Sequence, residues 1–213
     1  MADVKFQAEH NERIVQAILA NPDIIYDKRW RMDNLYWIVT RDGTKSLFKM
    51  NRAQLDFFER YLNPTDPSQR YYRHIILKSR QLGFTTFVDL WILDEILFNK
   101  NREGLIIAHK VQDATEIFDR KIDYAIRNMN EEVKNGAFRL KRNSAKKIQV
   151  VIDYGTEEGS TSSIQVSSSG RSGTYFYVHI SEFAKLCLGY PKTAAEVETG
   201  TFHAVPFEGS IFI

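Results

Sequence analysis

The chain has 213 residues, of which 43% are hydrophobic and 26% charged, so it can bury one substantial core but would be short for two full domains. Its 29 Lys and Arg residues nearly balance its 27 Asp and Glu residues, so any contact with nucleic acid must come from a local basic face. The single cysteine, Cys187, excludes an internal disulfide and a cysteine-rich metal site. No apolar run approaches a membrane span and no secretory signal opens the chain, so we expect a soluble, intracellular protein with no membrane partner.

The first fifty residues predict a small appendage on the main body. Residues 9–20 carry apolar side chains at helical spacing, which indicates a short amphipathic helix. Residues 34–40 and 44–50 are strand-like and flank an Asp-Gly pair, the pattern of a β-hairpin. We therefore assign residues 1–50 to an N-terminal helix and hairpin, with Asn51 capping the helix that follows.

From residue 51 to residue 213 the pattern is that of an α/β core. Helices are predicted over 85–99 and 113–129. Strands are predicted over 74–78, 104–110, 147–153, 162–168, 175–181 and 209–213. Because buried strands alternate with helices, we expect a mainly parallel central sheet flanked by helices.

The segment RHIILKSRQLGFTT, residues 73–86, has most features of a phosphate-binding loop. Such a loop needs converging backbone N–H groups, a following helix, one side-chain cation and a hydroxyl for Mg²⁺. Gly83 allows close approach of the backbone to a phosphate, and Thr85 stands where the Mg²⁺-binding hydroxyl belongs. Phe84, however, occupies the usual lysine position. From these residues alone, a common strand-turn-helix with no ligand is an equal alternative.

The stretch KSRQLGFTT is similar to the ATP-binding loop of the large terminase subunits of tailed bacteriophages, in which SRQLGKTT is frequent. In one branch of that family the lysine lies at the head of the loop, where this sequence has Lys78. The resemblance therefore implies that Lys78 supplies the cation, and Arg80 in the same loop is a second candidate. The resemblance implies a P-loop NTPase fold of the ASCE type and binding of ATP with Mg²⁺, with Thr85 at the metal. It implies that the nucleotide is bound by Lys78, Ser79, Arg80, Gln81, Leu82, Gly83, Phe84, Thr85 and Thr86.

The segment YFYVHISEFA, residues 175–184, ends an apolar strand in Ser181-Glu182. It resembles the terminase form of the second ATPase motif, in which a glutamate orients the attacking water. The resemblance makes Glu182 catalytic and puts Ser181 where an aspartate more often organises Mg²⁺. The alternative is an ordinary solvent-exposed glutamate at a strand end.

Two further residues are assigned by the same resemblance. Arg171, in SSSGRSGTYF, matches an arginine finger that would reach a neighbouring subunit's γ-phosphate, although Ser- and Gly-rich loops are usually flexible connectors. Gln54, in FKMNRAQLDFF, matches the family's adenine-recognising glutamine. On the bare sequence it is an ordinary helix residue.

The resemblance as a whole implies an ATPase that drives double-stranded DNA into a procapsid in the host cytoplasm. Its partners would be DNA, the portal protein and the small terminase subunit, in a pentameric ring when docked, whereas the isolated chain is expected to be monomeric. The family's nuclease is not expected in this chain, which we expect to be truncated near Ile213. Two alternatives stay open: a helicase-like DNA-stimulated ATPase, and an inactive, nucleotide-free α/β scaffold in which Phe84 reflects lost activity.

Overall fold

The computed structural model describes residues 2–66, 68, 70, 72–78, 82–108, 110–137, 139–144, 147–152, 160–167 and 173–213. Its strands in chain order are Trp37–Val39 (β1), Lys45–Leu47 (β2), Arg73–His74 (β3), Glu103–Ile107 (β4), Arg139–Ser144 (β5), Lys147–Ile152 (β6), Ser160–Ser167 (β7), Tyr177–Ile180 (β8) and Ser210–Phe212 (β9). β1 and β2 form the predicted antiparallel hairpin.

The helices pack around the sheet, and the first of them belong to the N-terminal segment. They are, in chain order, Ala2–Ala20 (α1), Lys28–Asn34 (α2), Arg52–Phe57 (α3), Phe84–Phe98 (α4), Val111–Ile117 (α5), Tyr124–Asn128 (α6), Glu131–Ala137 (α7), Phe183–Gly189 (α8) and Pro191–Glu196 (α9). A 3₁₀ turn over Pro22–Tyr26 precedes α2, and π-helical turns over Phe58–Leu62, Phe118–Asp123 and Val197–Phe202 continue α3, α5 and α9.

The remaining strands form one mixed sheet in the order β3-β9-β8-β4-β7-β6-β5. Its first five strands run parallel, and β6 and β5 add antiparallel at one edge. The expected α/β architecture with a mainly parallel sheet is therefore confirmed. β9 lies between β3 and β8, so the segments that leave the carboxyl ends of these three neighbours meet at one edge of the sheet, where open α/β sheets bind their ligands.

Helix α4 is the central helix of the fold. It begins directly after Gly83, which adopts a left-handed conformation with φ 67°, and 12 of its 15 residues are buried. A helix that is apolar on every side must be covered on every side. The sheet and the N-terminal elements cover α4, which fixes the position of its first turn.

Two buried carboxylates near the end of α4 bind the N-terminal segment. Asp94 accepts hydrogen bonds from Arg31 Nε at 2.9 Å and Nη2 at 2.7 Å, and from the Tyr36 hydroxyl at 2.6 Å. Glu95 pairs with Lys28 and accepts a bond from the Tyr177 hydroxyl at 2.6 Å. Residues of α2 thus dock on the same helix that begins at the candidate loop.

Some elements differ from the prediction. The strand predicted over 74–78 is paired only at Arg73–His74, with one further bond from Ile76 N to Ile213 O, because β3 is an edge strand with a neighbour on one side. Helices α2, α7, α8 and α9 and strand β5 were not predicted, since they are too short to show a clear period. No helix in the described part of the chain is long and apolar enough to cross a bilayer.

Candidate nucleotide site

A cleft of about 380 Å³ opens at the carboxyl ends of β3, β9 and β8. Lys78 lines it from the segment after β3, Thr85 from the first turn of α4, and Ser181 and Glu182 from the end of β8. These residues come from motifs about 100 positions apart, and they were selected from the sequence for a common role. The fold brings them to one cleft.

The first turn of α3 and its N-cap residue hold the end of the loop by hydrogen bonds. Asn51 Nδ2 and Gln54 Nε2 both donate to the Leu82 carbonyl oxygen, at 3.0 and 2.9 Å. Gly83 then turns with positive φ, and a Cβ added there would lie 2.9 Å from Gln54 Nε2. Both constraints favour glycine at position 83. Ser79, Arg80 and Gln81 lie outside the described residues.

Gln54 is more than a surface residue of its helix. It is only 3% exposed, and its Oε1 accepts the Asn51 backbone N–H at 3.0 Å, completing a capping box. A glutamine amide offers two N–H donors and two acceptor lone pairs, so the bonds to Asn51 and Leu82 leave part of its capacity unused. Adenine recognition by Gln54 remains a prediction, and the observed contacts add a role in positioning the loop.

Phe84 lies against the protein interior and carries no charge to the loop. Its side chain is 7% exposed and packs edge to face on Phe57 and Phe87, with ring centroids 5.7 and 5.9 Å away. Lys78, in contrast, is exposed at the rim of the cleft. Among the described residues of the loop, Lys78 is therefore the cation that can face a ligand.

Glu182 combines a strained backbone with a charged partner. It has φ 61° and ψ 47°, a left-handed conformation that costs a non-glycine residue on the order of 1–3 kcal/mol and often marks a functional position. Its Oε2 accepts a bond from Lys185 Nζ at 2.5 Å, and both side chains are about half exposed, at 50% and 52%. Lys185 also lines the cleft and was missed from the sequence, although a lysine three residues after the glutamate was a usable signal.

A buried polar network lies beneath this cleft, between α4 and β8. Asp89 Oδ1 is 2.6 Å from His179 Nδ1, and Lys121 Nζ donates to Asp89 Oδ2 at 3.0 Å. Burial would raise the pKa of Asp89, but the nearby Lys121 and His179 outweigh it and hold that pKa below its ordinary value. His179 is 6% exposed and lines the cleft. Neither Asp89 nor His179 is among the site residues predicted from the sequence.

Two assigned residues remain, Thr86 and Arg171. Thr86 lines a separate groove with Arg41 and Asp113, and Arg171 lies outside the described residues. Within the described ranges, no group of three or more His, Cys, Asp or Glu side chains could hold a metal ion. A cation at this cleft would therefore depend on the hydroxyls of Thr85 and Ser181 and on the ligand that accompanies it.

Comparisons with known proteins gave matches among solved structures. No family model matches the chain, and no curated protein matches it. The ATPase domain of the large terminase of Thermus phage P74-26 is similar with a TM-score of 0.46 and 18% identity, over 78% of this chain and 69% of that one. The large terminase of a thermophilic bacteriophage in complex with ADP is similar with a TM-score of 0.46 and 15% identity, over 76% of this chain and 38% of that one.

Proposed function

We propose that this chain is the ATPase module of a phage large terminase, which hydrolyses ATP to move double-stranded DNA into a procapsid. The observation that carries the proposal is the convergence of Lys78, Thr85 and Glu182, from three segments, on one cleft at the carboxyl ends of parallel strands. The sequence resemblance of the same segments to the terminase motifs supports it independently.

The phosphates are bound at the start of α4. The N-terminus of a helix carries roughly +0.5 elementary charge and presents unpaired N–H groups, and the left-handed turn at Gly83 leads directly into α4. Lys78 adds the side-chain cation from the opposite lip of the cleft. Because Lys78 supplies the side-chain cation, position 84 needs no charge and can hold an apolar ring.

Mg²⁺ fits the donors that line the cleft. Thr85 and Ser181 offer hydroxyl oxygens, and Mg²⁺ in nucleotide sites is typically held by a few protein oxygens, the phosphates and water. When bound, the ion would neutralise charge on the phosphates. Since neither residue is a carboxylate, the metal is expected to arrive with the nucleotide.

Glu182 orients the water that attacks the γ-phosphate, and Lys185 controls whether the Glu182 carboxylate is available for that role. Lys185 Nζ donates a hydrogen bond to the Glu182 carboxylate. A γ-phosphate competes for the same ammonium, because it carries more negative charge and the pair is half exposed. Transfer of Lys185 to the phosphate supplies a second cation and removes this bond from the Glu182 carboxylate.

Translocation requires partners beyond this chain. We assign to it a ring on the portal protein, pentameric when docked, which acts on DNA delivered with the small terminase subunit in the host cytoplasm. Arg171 is the residue proposed to complete a neighbouring subunit's site. Portal capture separates this function from that of a helicase-like ATPase: a packaging motor binds immobilised portal rings, and a helicase does not.

Binding and turnover of Mg·ATP test the enzymatic part. The chain is expected to bind ATP and to hydrolyse it at high protein concentration, whereas a nucleotide-free scaffold would do neither. A mixing experiment tests the ring. Arg171→Ala and Glu182→Gln proteins, each inactive alone, should regain activity together, because a mixed ring contains interfaces with one intact finger and one intact glutamate. No recovery at any ratio would contradict an arginine finger acting between subunits.

A further inference from the structure

We propose that His179, oriented by Asp89, faces the divalent cation that accompanies the nucleotide and takes over the part that an acidic residue at position 181 would play. The inference rests on the proposed function and extends it to two residues, His179 and Asp89, to which the sequence motifs assign no role. Ser181 contributes only a neutral hydroxyl to the cleft, so a second polar group in the cleft would help to hold the cation.

Strand and helix periodicity bring the required residues together. Side chains two apart on a strand share a face, as do side chains four apart on a helix. His179 and Ser181 therefore share one face of the β8 segment, and Thr85 and Asp89 share one face of α4. The 2.6 Å contact between Asp89 and His179 joins these faces, and His179, Ser181 and Thr85 all line the cleft.

Burial and hydrogen bonding define the orientation of the ring. Asp89 is fully buried, and a buried carboxylate requires partners. Lys121 Nζ contacts one carboxylate oxygen at 3.0 Å, and His179 Nδ1 contacts the other at 2.6 Å. Nε2 is then the ring nitrogen left for a ligand, on a ring that lines the cleft.

This arrangement is a known way to prepare a histidine for a metal. Metal-binding imidazoles commonly donate their second ring N–H to a carboxylate, which fixes the tautomer and raises the basicity of the ligating nitrogen. Imidazole suits transition metals better than it suits Mg²⁺. The cleft should therefore accept Mn²⁺ or Co²⁺ with a nucleotide more readily than a site built from oxygen ligands alone.

Electron spin echo spectroscopy tests the contact without turnover. The complete chain, labelled with ¹⁵N-histidine, is mixed with Mn²⁺ and a non-hydrolysable ATP analogue. We expect a histidine nitrogen coupling to Mn²⁺, strong for direct ligation and weak through the ion's hydration shell, and either supports the proposal. His179→Gln should abolish it, whereas the exposed control His203→Gln should retain it.

Affinity measurements provide a second readout. Removing an outer partner of a metal-binding histidine typically weakens metal affinity by about 10- to 100-fold. Asp89→Asn should weaken binding of the Mn²⁺ complex to that extent and leave binding of the metal-free analogue unchanged. Circular dichroism verifies folding of each variant, and the labelled unmodified chain needs no variant.

Three results would overturn the inference. If the unmodified chain binds the Mn²⁺ complex with no histidine coupling, or if the coupling survives in His179→Gln, the role of His179 is wrong while the proposed ATPase function stands. If the chain binds neither the complex nor the analogue, the proposed function and this inference both fall.

Discussion

The two halves of helix α4 both bury carboxylates, but they use them differently. Asp94, in the second half, is enclosed by Arg31 and Tyr36 and has no access to the cleft. Asp89, in the first half, contacts Nδ1 of His179, which lines the cleft. A buried ion pair by itself therefore indicates only a role in stabilising the fold. A buried carboxylate whose partner lines an open cleft suggests a role in the functional site.

The same contrast separates two lysine–glutamate pairs. The Lys28–Glu95 side chains are 16% and 3% exposed, whereas those of Lys185 and Glu182 are 52% and 50% exposed. Breaking a buried pair leaves an uncompensated charge, but an exposed pair contributes only about 0–1 kcal/mol and exchanges partners easily. The first pair holds α2 on α4, and the second can respond to a ligand.

The largest expected effect is at Glu182. Glu182→Gln should reduce ATP turnover by about 10²- to 10⁴-fold, because the amide cannot accept a proton from water, while nucleotide affinity is kept. Steady-state hydrolysis and equilibrium binding check this. The exposed control Glu198→Gln should behave as the unmodified chain. Turnover retained by Glu182→Gln would remove this residue from its role.

Asp94→Asn should lower the free energy of unfolding by about 3–5 kcal/mol, because Arg31 would be left buried without its carboxylate. Denaturant titration measures the loss. The double variant Arg31→Met with Asp94→Leu should recover much of that stability, since it removes both charges. If Asp94→Asn changed nucleotide affinity in the folded protein, the division of α4 into a structural and a functional half would be wrong.

Gly83→Ala should destabilise the protein by roughly 1 kcal/mol or more, because position 83 has φ +67° and its Cβ would lie 2.9 Å from Gln54 Nε2. Nucleotide binding should weaken in parallel, since the same contact supports the loop. Gly136 in α7 is the matched control, with open space around it. Gly136→Ala should be neutral or stabilising, and equal effects at both glycines would contradict this account of the loop.

The smallest effect on stability is expected at Lys185. Lys185→Gln should change the free energy of unfolding by less than about 1 kcal/mol, yet it should reduce the preference for ATP over ADP, because only ATP offers the γ-phosphate. Competition binding with both nucleotides measures the ratio. Lys185→Arg should largely restore it, and the exposed control Lys192→Gln should not change it. An unchanged ratio in Lys185→Gln would exclude the proposed exchange.

Much of the fold and part of the site could be predicted because their signals are local. The Asp-Gly hairpin, the Asn51 cap and the apolar stretch of α4 each depend on neighbours in sequence. Lys78, Thr85 and Glu182 were assigned to one nucleotide site because their segments resemble the terminase motifs. All three line one cleft, whereas their roles with a nucleotide stay predictions.

The rest depends on contacts between distant segments. Gln54 and Leu82 are 28 positions apart, and His179 and Asp89 are 90 apart, so no periodicity connects them. A histidine within the apolar run of β8 and an aspartate within the apolar run of α4 were visible as exceptions. Only the packing of α4 on β8 reveals that they satisfy each other.

The central claim is that Lys78 supplies the charge that Phe84 lacks. Titration of a fluorescent ATP analogue with Mg²⁺ into the unmodified chain, Lys78→Ala and the control Lys192→Ala tests it most directly. We predict that Lys78→Ala binds about 10- to 100-fold more weakly, the effect of losing a charge-assisted hydrogen bond, and that the control binds normally. Equal affinity of Lys78→Ala and the unmodified chain, or no binding by any of the three proteins, would contradict the account.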